Sequence, residues 1–351
     1  DFTGQQIGMN ILTKLTKVLR ESKHIRSFQL YGNLIRDHGI HSLYQLLISN
    51  PGVVILDVGC NDFTNQAVPC LIDIILSTFI KSLQIGVTGL AWHNNKFNVQ
   101  SLHELLIAIQ SCNRIQCLGL SGLKLSVRHG ARRISIAEPF ADYLRQDEAL
   151  QSLSISDCGF TPKEMESVLI KGLAYNSHIK FLDMHNSPLC EPNGVEFMSQ
   201  MWKMESLTYL DVSNCQLTPN AGVELARSIK KQNSLIVLNL NNNQIGDAGF
   251  SELLTVLLDN QTLTEVDVTS NNIGSSVSSL LGEVIAKNQV LYSLLLTNNF
   301  LGDDAAFAIA KSIAKNEGIT KLSIASCRIS DAGAIAICKA LVRNRVLRRF
   351  Y

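Results

Sequence analysis

Three arginines and a histidine crowd one short stretch, "SVRHGARRISIAEPFADYL": Arg128, His129, Arg132 and Arg133, beside Gly130. Guanidinium groups suit phosphate or carboxylate partners, and loops on a rigid scaffold often carry function. The alternative is a solvated charged loop. Other reactive types are dispersed. Cys112 and Cys117 lie five apart and read as an ordinary helix cysteine and an ordinary strand cysteine. His93 and His185 share one phase of the pattern described below, but three units apart. At about 4.8 Å per strand, that is too far for one metal ion or one acid–base pair. No G-x-x-x-x-G-K-[ST] loop, Cys-x-x-Cys pair or H-E-x-x-H spacing occurs. The reading is of no catalytic residue, no cofactor and no metal.

The elements that position these groups repeat. The stretch "LIVLNLNNNQIGDAGFSELLTVLLDNQT", from Leu235, begins again in nearly the same words at Leu263. Aligning on L-x-x-L-x-L-x-x-N-x-L gives starts at Ile25, Val53, Val87, Ile115, Leu150, Ile179, Leu207, Leu235, Leu263, Leu291, Ile319 and Leu347. From Ile179 onward every step is 28 residues, and the earlier steps are 28, 34, 28, 35 and 29. Leu235, Leu238 and Leu240 point inward from a short strand, while Val237 and Asn239 take the other face. An asparagine then stands where the backbone leaves the strand, at Asn33, Asn61, Asn95, Asn243, Asn271 and Asn299. Its amide supplies both donor and acceptor to turn groups that have no ladder partner. Cys158, Cys215, Cys327, Ser187 and Leu123 depart from the rule, and looser turns are expected there, above all at Leu123. Phe250, Leu253, Leu254, Leu257 and Leu258 follow at helical spacing, with Gly39, Gly249 and Gly333 near the helix starts.

This pattern is identified as that of a leucine-rich-repeat chain, and its 28-residue units resemble the ribonuclease-inhibitor-like class. Strands pack about 4.8 Å apart and helices roughly 8–10 Å. An α/β solenoid is therefore expected to bend into a horseshoe, with a parallel sheet on the concave side and helices on the convex side. We expect one domain over residues 1–351, with about 11 full repeats. Residues 1–24 read as the tail of an earlier repeat and 347–351 as the start of a later one. Neither end has the polar character of a cap, so a piece of a longer protein is expected.

Hydrophobic residues make up 46% of the chain, charged ones 17%, and the net charge is +1. That balance disfavours a general nucleic-acid or membrane-surface binder. The longest apolar run, around "CLIDIILSTFI", falls well short of the roughly 20 residues of a membrane span. Nine irregularly spaced cysteines read as reduced thiols in a cytoplasmic protein. The sequon Asn260-Gln261-Thr262 reads as a helix-end turn.

Two long units carry insertions, around "FIKSLQIGVTG" and at the arginine cluster. The activator of the Ran GTPase shares this repeat class and has an arginine-bearing loop, a resemblance that would cast Arg132 or Arg133 as a finger on a nucleotide phosphate. That family's Phe-Thr-Gly-Arg wording is absent here, and the insertion sits in a different repeat. The stretch from Arg128 to Cys190 resembles the repeat domain of CARMIL-type regulators of actin capping protein, through its insertion and "LIKGLAYN". That resemblance implies a scaffold of the cytoskeleton or actin cortex; a structural component of an axonemal array is the alternative.

For a binding module, the exposed strand positions come first. One column reads Ser27, Ile55, Gly89, Cys117, Ser152, Phe181, Tyr209, Val237, Glu265, Ser293, Lys321. The next reads Gln29, Asp57, Ala91, Gly119, Ser154, Asp183, Asp211, Asn239, Asp267, Leu295, Ser323. Phe181, Tyr209 and Val237, flanked by Asp183, His185, Asp211, Glu265 and Asp267, have the composition of an interface core. Arg128, Arg132 and Arg133 are a second candidate. The partner implied is another protein with basic and apolar groups together.

Overall fold

The computed structural model describes residues 1–20, 22, 24–87 and 93–351, and forms two compact units, 1–179 and 180–351. In the first unit, strands β1 (Ser27–Gln29), β2 (Ile55–Asp57), β3 (Ser82–Gln84), β4 (Cys117–Gly119) and β7 (Ser152–Ser154) pair in parallel, each with the next. An antiparallel hairpin of β5 (Ser126–His129) and β6 (Arg132–Ser135) intervenes. The second unit holds β8 (Phe181–Asp183), β9 (Tyr209–Asp211), β10 (Val237–Asn239), β11 (Glu265–Asp267), β12 (Ser293–Leu295), β13 (Lys321–Ser323) and β14 (Arg349–Phe350), again parallel in sequence order. Each described repeat returns through a helix before its next strand, which gives the α/β leucine-rich-repeat solenoid. No described helix is long and apolar enough to cross a membrane.

The strand Val237–Asn239 is three residues long, x-L-x, and only its middle leucine turns inward. Leu238 is buried between half-buried Val237 and Asn239. Each such leucine contributes about 1.5–3 kcal/mol on burial. Behind the sheet, the helix Gly246–Leu257 buries Phe250, Leu253, Leu254 and Leu257. Leu258, expected on that face, caps the helix and is half-buried. Gly249 packs against the preceding helix, Pro219–Lys231: a Cβ on it would lie 3.1 Å from the Cα of Gly222.

The asparagine ladder bonds as its chemistry requires. Asn243 Oδ1 accepts the N–H groups of Cys215 and Leu217, each at 3.0 Å, and its Nδ2 donates to Val212 O and Leu240 O, each at 2.9 Å. Asn299 repeats this with the N–H groups of Asn271 and Ile273. Where cysteine replaces asparagine the thiol keeps the donor role: Cys215 Sγ reaches Met184 O at 3.2 Å and Cys327 Sγ reaches Leu296 O at 3.1 Å. Asn242, beside the ladder, is exposed in a left-handed turn (φ 57°) and donates to Asn214 Oδ1 at 2.7 Å. A second ladder runs at the helix ends, through Asn260, Asn288, Asn316 and Asn344. Asn288 Oδ1 accepts Val290 N and Leu291 N, while its Nδ2 donates back to Leu257 O at 2.6 Å. Asn260 of the sequon is a rung of this ladder and is buried.

Three expectations are corrected. The third repeat starts at Ile80, not Val87: Ser82, Leu83 and Gln84 pair with Ile55, Leu56 and Asp57. The extra residues lie between this strand and ladder Asn95, whose amide still binds Val58 O and Ile85 O. Ser82 and Gln84 therefore take the column positions assigned to Gly89 and Ala91, which lie outside the described residues. Second, the turn at Leu123 is closed rather than loose. Leu123 is buried, its N–H donates to Leu120 O at 3.1 Å, and Leu125 N donates to Cys158 O. Third, the arginine-bearing segment is not an open loop but the β5–β6 hairpin.

Candidate protein-binding face

In-register parallel strands bring identical positions of successive repeats side by side. Phe181 and Tyr209 are register partners in β8 and β9, and strand spacing of about 4.8 Å leaves their rings little choice but to stack. Their centroids are 4.2 Å apart and the planes 10° from parallel. Such a pair contributes about 0.5–1.5 kcal/mol beyond its buried area, which holds two half-buried rings rigid before any partner arrives. Val237 pairs with Tyr209, and Glu265 with Val237, so the four form one row.

The acidic column beside them has a local cause. Asp183 Oδ1 accepts the N–H of His185 at 3.1 Å, Asp211 Oδ1 that of Ser213 at 2.9 Å, and Asp267 Oδ1 that of Thr269 at 2.8 Å. Each carboxylate thus satisfies the N–H two residues beyond the strand end, an Asx-type turn. Asn239 does the same for Asn241 at 3.0 Å, so an amide oxygen suffices. The turn bond itself does not need the charge, though the second Asp211 oxygen also accepts from Asn239 Nδ2. The charge acts on Tyr209, whose hydroxyl is pushed up to about 12 by burial first and then by the carboxylates of Asp211 and Asp183. Burial likewise raises the Cys215 thiol to about 12, so it is a structural rather than a reactive group.

Asp183, His185 and Asp211 each offer a ligand atom within 4.8 Å of the others, the one such grouping among the described residues. Their atoms already have partners. His185 Nδ1 lies 2.7 Å from Asp183 Oδ1, while Asp211 accepts from Ser213 Oγ at 2.7 Å and, on its second oxygen, from Asn239 Nδ2 at 2.7 Å.

A further column went unnoticed in the sequence. The residue just before each strand also faces outward, so Ile236 is 43% exposed and Tyr292 47% exposed, beside Val237 and Ser293. Thr208 and Thr264 share this column and turn their hydroxyls onto Lys180 O and Ile236 O, and exposed Lys180 holds its β8 position. The signal was mixed: the first x of L-x-x-L carries Ile236 and Tyr292, but also Arg26, Lys81, Lys180 and Arg348. Farther along the row, Lys321 and Arg349 replace the acidic residues.

The arginine hairpin belongs to the first unit. Arg133 donates to Ser126 Oγ at 2.8 Å, Glu164 Oε2 at 3.2 Å and Gly159 O at 2.8 Å. Burial alone would raise the Glu164 carboxyl; hydrogen bonds from Thr161, Ser126 and Ser135 outweigh it and hold it below the usual range. Arg133 is a structural tie. The Arg128 side chain donates to Gly130 O at 3.2 Å, across the turn, and Arg132 and His129 are exposed at the tip.

A family model described as Leucine Rich repeat matches residues 203–226, 231–254, 259–276 and 315–338. No curated protein matches the sequence. Among solved structures, an internalin (inlF) of Listeria monocytogenes aligns over 97% of this chain and 94% of its own, at 15% identity and TM-score 0.55. The Rad7 and Elc1 complex of yeast aligns over 98% of this chain and 76% of that one, at 14% identity and TM-score 0.52. The actin-binding site 2 of leiomodin-1 covers 43% of this chain and 87% of its own at 18% identity, with a TM-score of 0.35. The first two share the fold. The chain carries leucine-rich repeats.

Proposed function

We propose that this leucine-rich-repeat chain is a non-enzymatic protein-interaction scaffold whose binding face is the solvent side of β8–β11. The carrying observation is the stacked Phe181–Tyr209 pair, rigid and half-buried, bordered by carboxylates whose turn bonds do not need the charge. A preformed aromatic surface loses little freedom on binding, and aromatic anchors ringed by polar groups supply most of the energy in such interfaces. Affinity capture from cell lysate, comparing the native chain with Phe181→Ala/Tyr209→Ala, tests it. Proteins retained by the native chain are expected to be lost from the variant, and unchanged retention refutes the assignment.

The cytoskeletal setting rests on the resemblance of the Arg128–Cys190 stretch to CARMIL-type repeats and is tested by co-sedimentation of the chain with actin filaments. A GTPase-activating role is disfavoured by the ties on Arg133, which leave Arg132 alone to act. Single-turnover GTP hydrolysis by small GTPases is expected to show no acceleration, and none that an Arg132→Ala/Arg133→Ala change removes.

A further inference from the structure

Granting that the solvent side of β8–β11 is the interface, its geometry restricts what kind of segment fits there. Strands β9, β10 and β11 are each paired on both sides, so no incoming strand can add to them through its main chain. Recognition there is by side chains alone.

The spacing of those side chains is fixed by the sheet. Phe181, Tyr209 and Val237 sit on three adjacent strands, a span of about 9.6 Å at roughly 4.8 Å per strand. A helix crossing the strands presents residues i, i+4 and i+7 over about 10.5 Å, at 1.5 Å per residue. An extended segment lying the same way presents i, i+2 and i+4 over about 13.5 Å. The helix keeps step with the row; the extended chain is out of register by its third residue.

The chemistry on either side of the row is also unequal. Toward one side lie Asp183, Asp211 and Asp267, whose turn-closing role an amide performs equally well at Asn239. Toward the other lie Ile236, Thr208 and Thr264, the two hydroxyls turned onto the backbone, with exposed Lys180 at the β8 end. We propose that the partner segment is an amphipathic α-helix lying across β8–β11. Its apolar stripe sits on Phe181, Tyr209, Val237 and Ile236, and lysines or arginines along one flank face Asp183, Asp211 and Asp267. Charge complementarity selects a cationic flank, and the opposite edge, which carries no carboxylate and presents Lys180, does not favour a second one.

The test uses the whole chain and dye-labelled peptides, read by fluorescence anisotropy. The probes are a Leu/Lys peptide of helical period, an isomer of the same composition in which leucine and lysine alternate, and a Leu/Glu peptide of helical period. The helical Leu/Lys peptide is expected to bind at least about tenfold more tightly than either comparator, a margin of one 1.4 kcal/mol step. Its affinity should fall by a similar factor in Phe181→Ala/Tyr209→Ala, and separately in Asp183→Asn/Asp211→Asn/Asp267→Asn, which retains the turn bonds. Glu252→Gln/Glu283→Gln, on the helical side, should leave it unchanged and so excludes general attraction to acidic surface. Circular dichroism of each variant confirms that it is folded.

Equal or tighter binding of the alternating isomer, lost in Phe181→Ala/Tyr209→Ala, overturns the helix while leaving the sheet face as the interface. Equal or tighter binding of the Leu/Glu peptide, lost in the same variant, overturns the cationic flank with the same consequence. If no peptide binds, or none responds to Phe181→Ala/Tyr209→Ala, the helix proposal fails, and the lysate capture above then decides whether the interface fails with it.

Discussion

Replacing Asn243 by alanine removes one rung of the ladder and allows its worth to be worked out group by group. The N–H groups of Cys215 and Leu217 lose their acceptor and Val212 O loses its donor, while Leu240 O keeps Asn271 Nδ2 at 2.8 Å. Three buried orphans at roughly 1–3 kcal/mol each bound the loss from below at about 3 kcal/mol, and partial wetting of the turn sets the expected value near ~4 kcal/mol. Asn243→Cys retains a donor of the kind Cys215 uses but leaves two of the three orphans, and is expected to cost about two-thirds as much. Asn241→Ala, one turn position away with its backbone bonds intact, should change stability by no more than about 0.5 kcal/mol. Long repeat arrays need not unfold in one step, so amide-resolved hydrogen exchange is the primary assay, with urea unfolding beside it. A loss of ~4 kcal/mol corresponds to about a thousandfold faster exchange at Cys215 and Leu217. Unchanged protection at those two amides, or Asn243→Ala and Asn241→Ala agreeing within about 1 kcal/mol, refutes the account of the ladder.

The Tyr209 hydroxyl, held near 12 against an ordinary value of 10.0, makes a pH prediction. Its favourable term is fully present below pH 10 and is lost as pH rises toward 12, because the unfolded chain ionises first. Ultraviolet titration should find a tyrosine ionising near 12 that disappears in Tyr209→Phe, beside buried Tyr143, which burial and the Asp147 carboxylate push higher still. Arg133→Ala should loosen the hairpin, giving several-fold faster nicking at Gly130–Ala131 by a non-tryptic protease, and Arg132→Ala should match the native rate. Alkylation at neutral pH should label exposed Cys338 first and reach buried Cys158, Cys215 and Cys327 only on unfolding.

The register of most strands was legible because leucines and ladder asparagines mark it twice, once by burial and once by hydrogen bonding. It failed at the third repeat, where counting back from Asn95 met Val87, Leu90 and Trp92 and took their alternation for a strand. The true strand, around Leu83 and Ile85, is separated from its asparagine by the inserted residues. The acidic column was legible as exposed, but not its cause. That Asp183 and Asp211 close turns two residues onward emerges only from the backbone directions. Ile236 and Tyr292 were missed because strict alternation describes the strand interior and not the residue leading into it. The helix-end asparagines passed for ordinary turn formers because their partners lie a whole repeat away.

Each rung binds backward: Asn243 closes a turn made by residues 215 and 217, and Asn299 one made by 271 and 273. On a ribosome the newest turn therefore waits for its lock until a further 28 residues or so have been added, a delay of a few seconds at ordinary elongation rates. Wherever an asparagine holds the rung, the growing end trails one unlatched turn while the turn before it is sealed. Loss of a whole period lets the latch meet an equivalent turn, whereas loss of a few residues leaves it facing the wrong one.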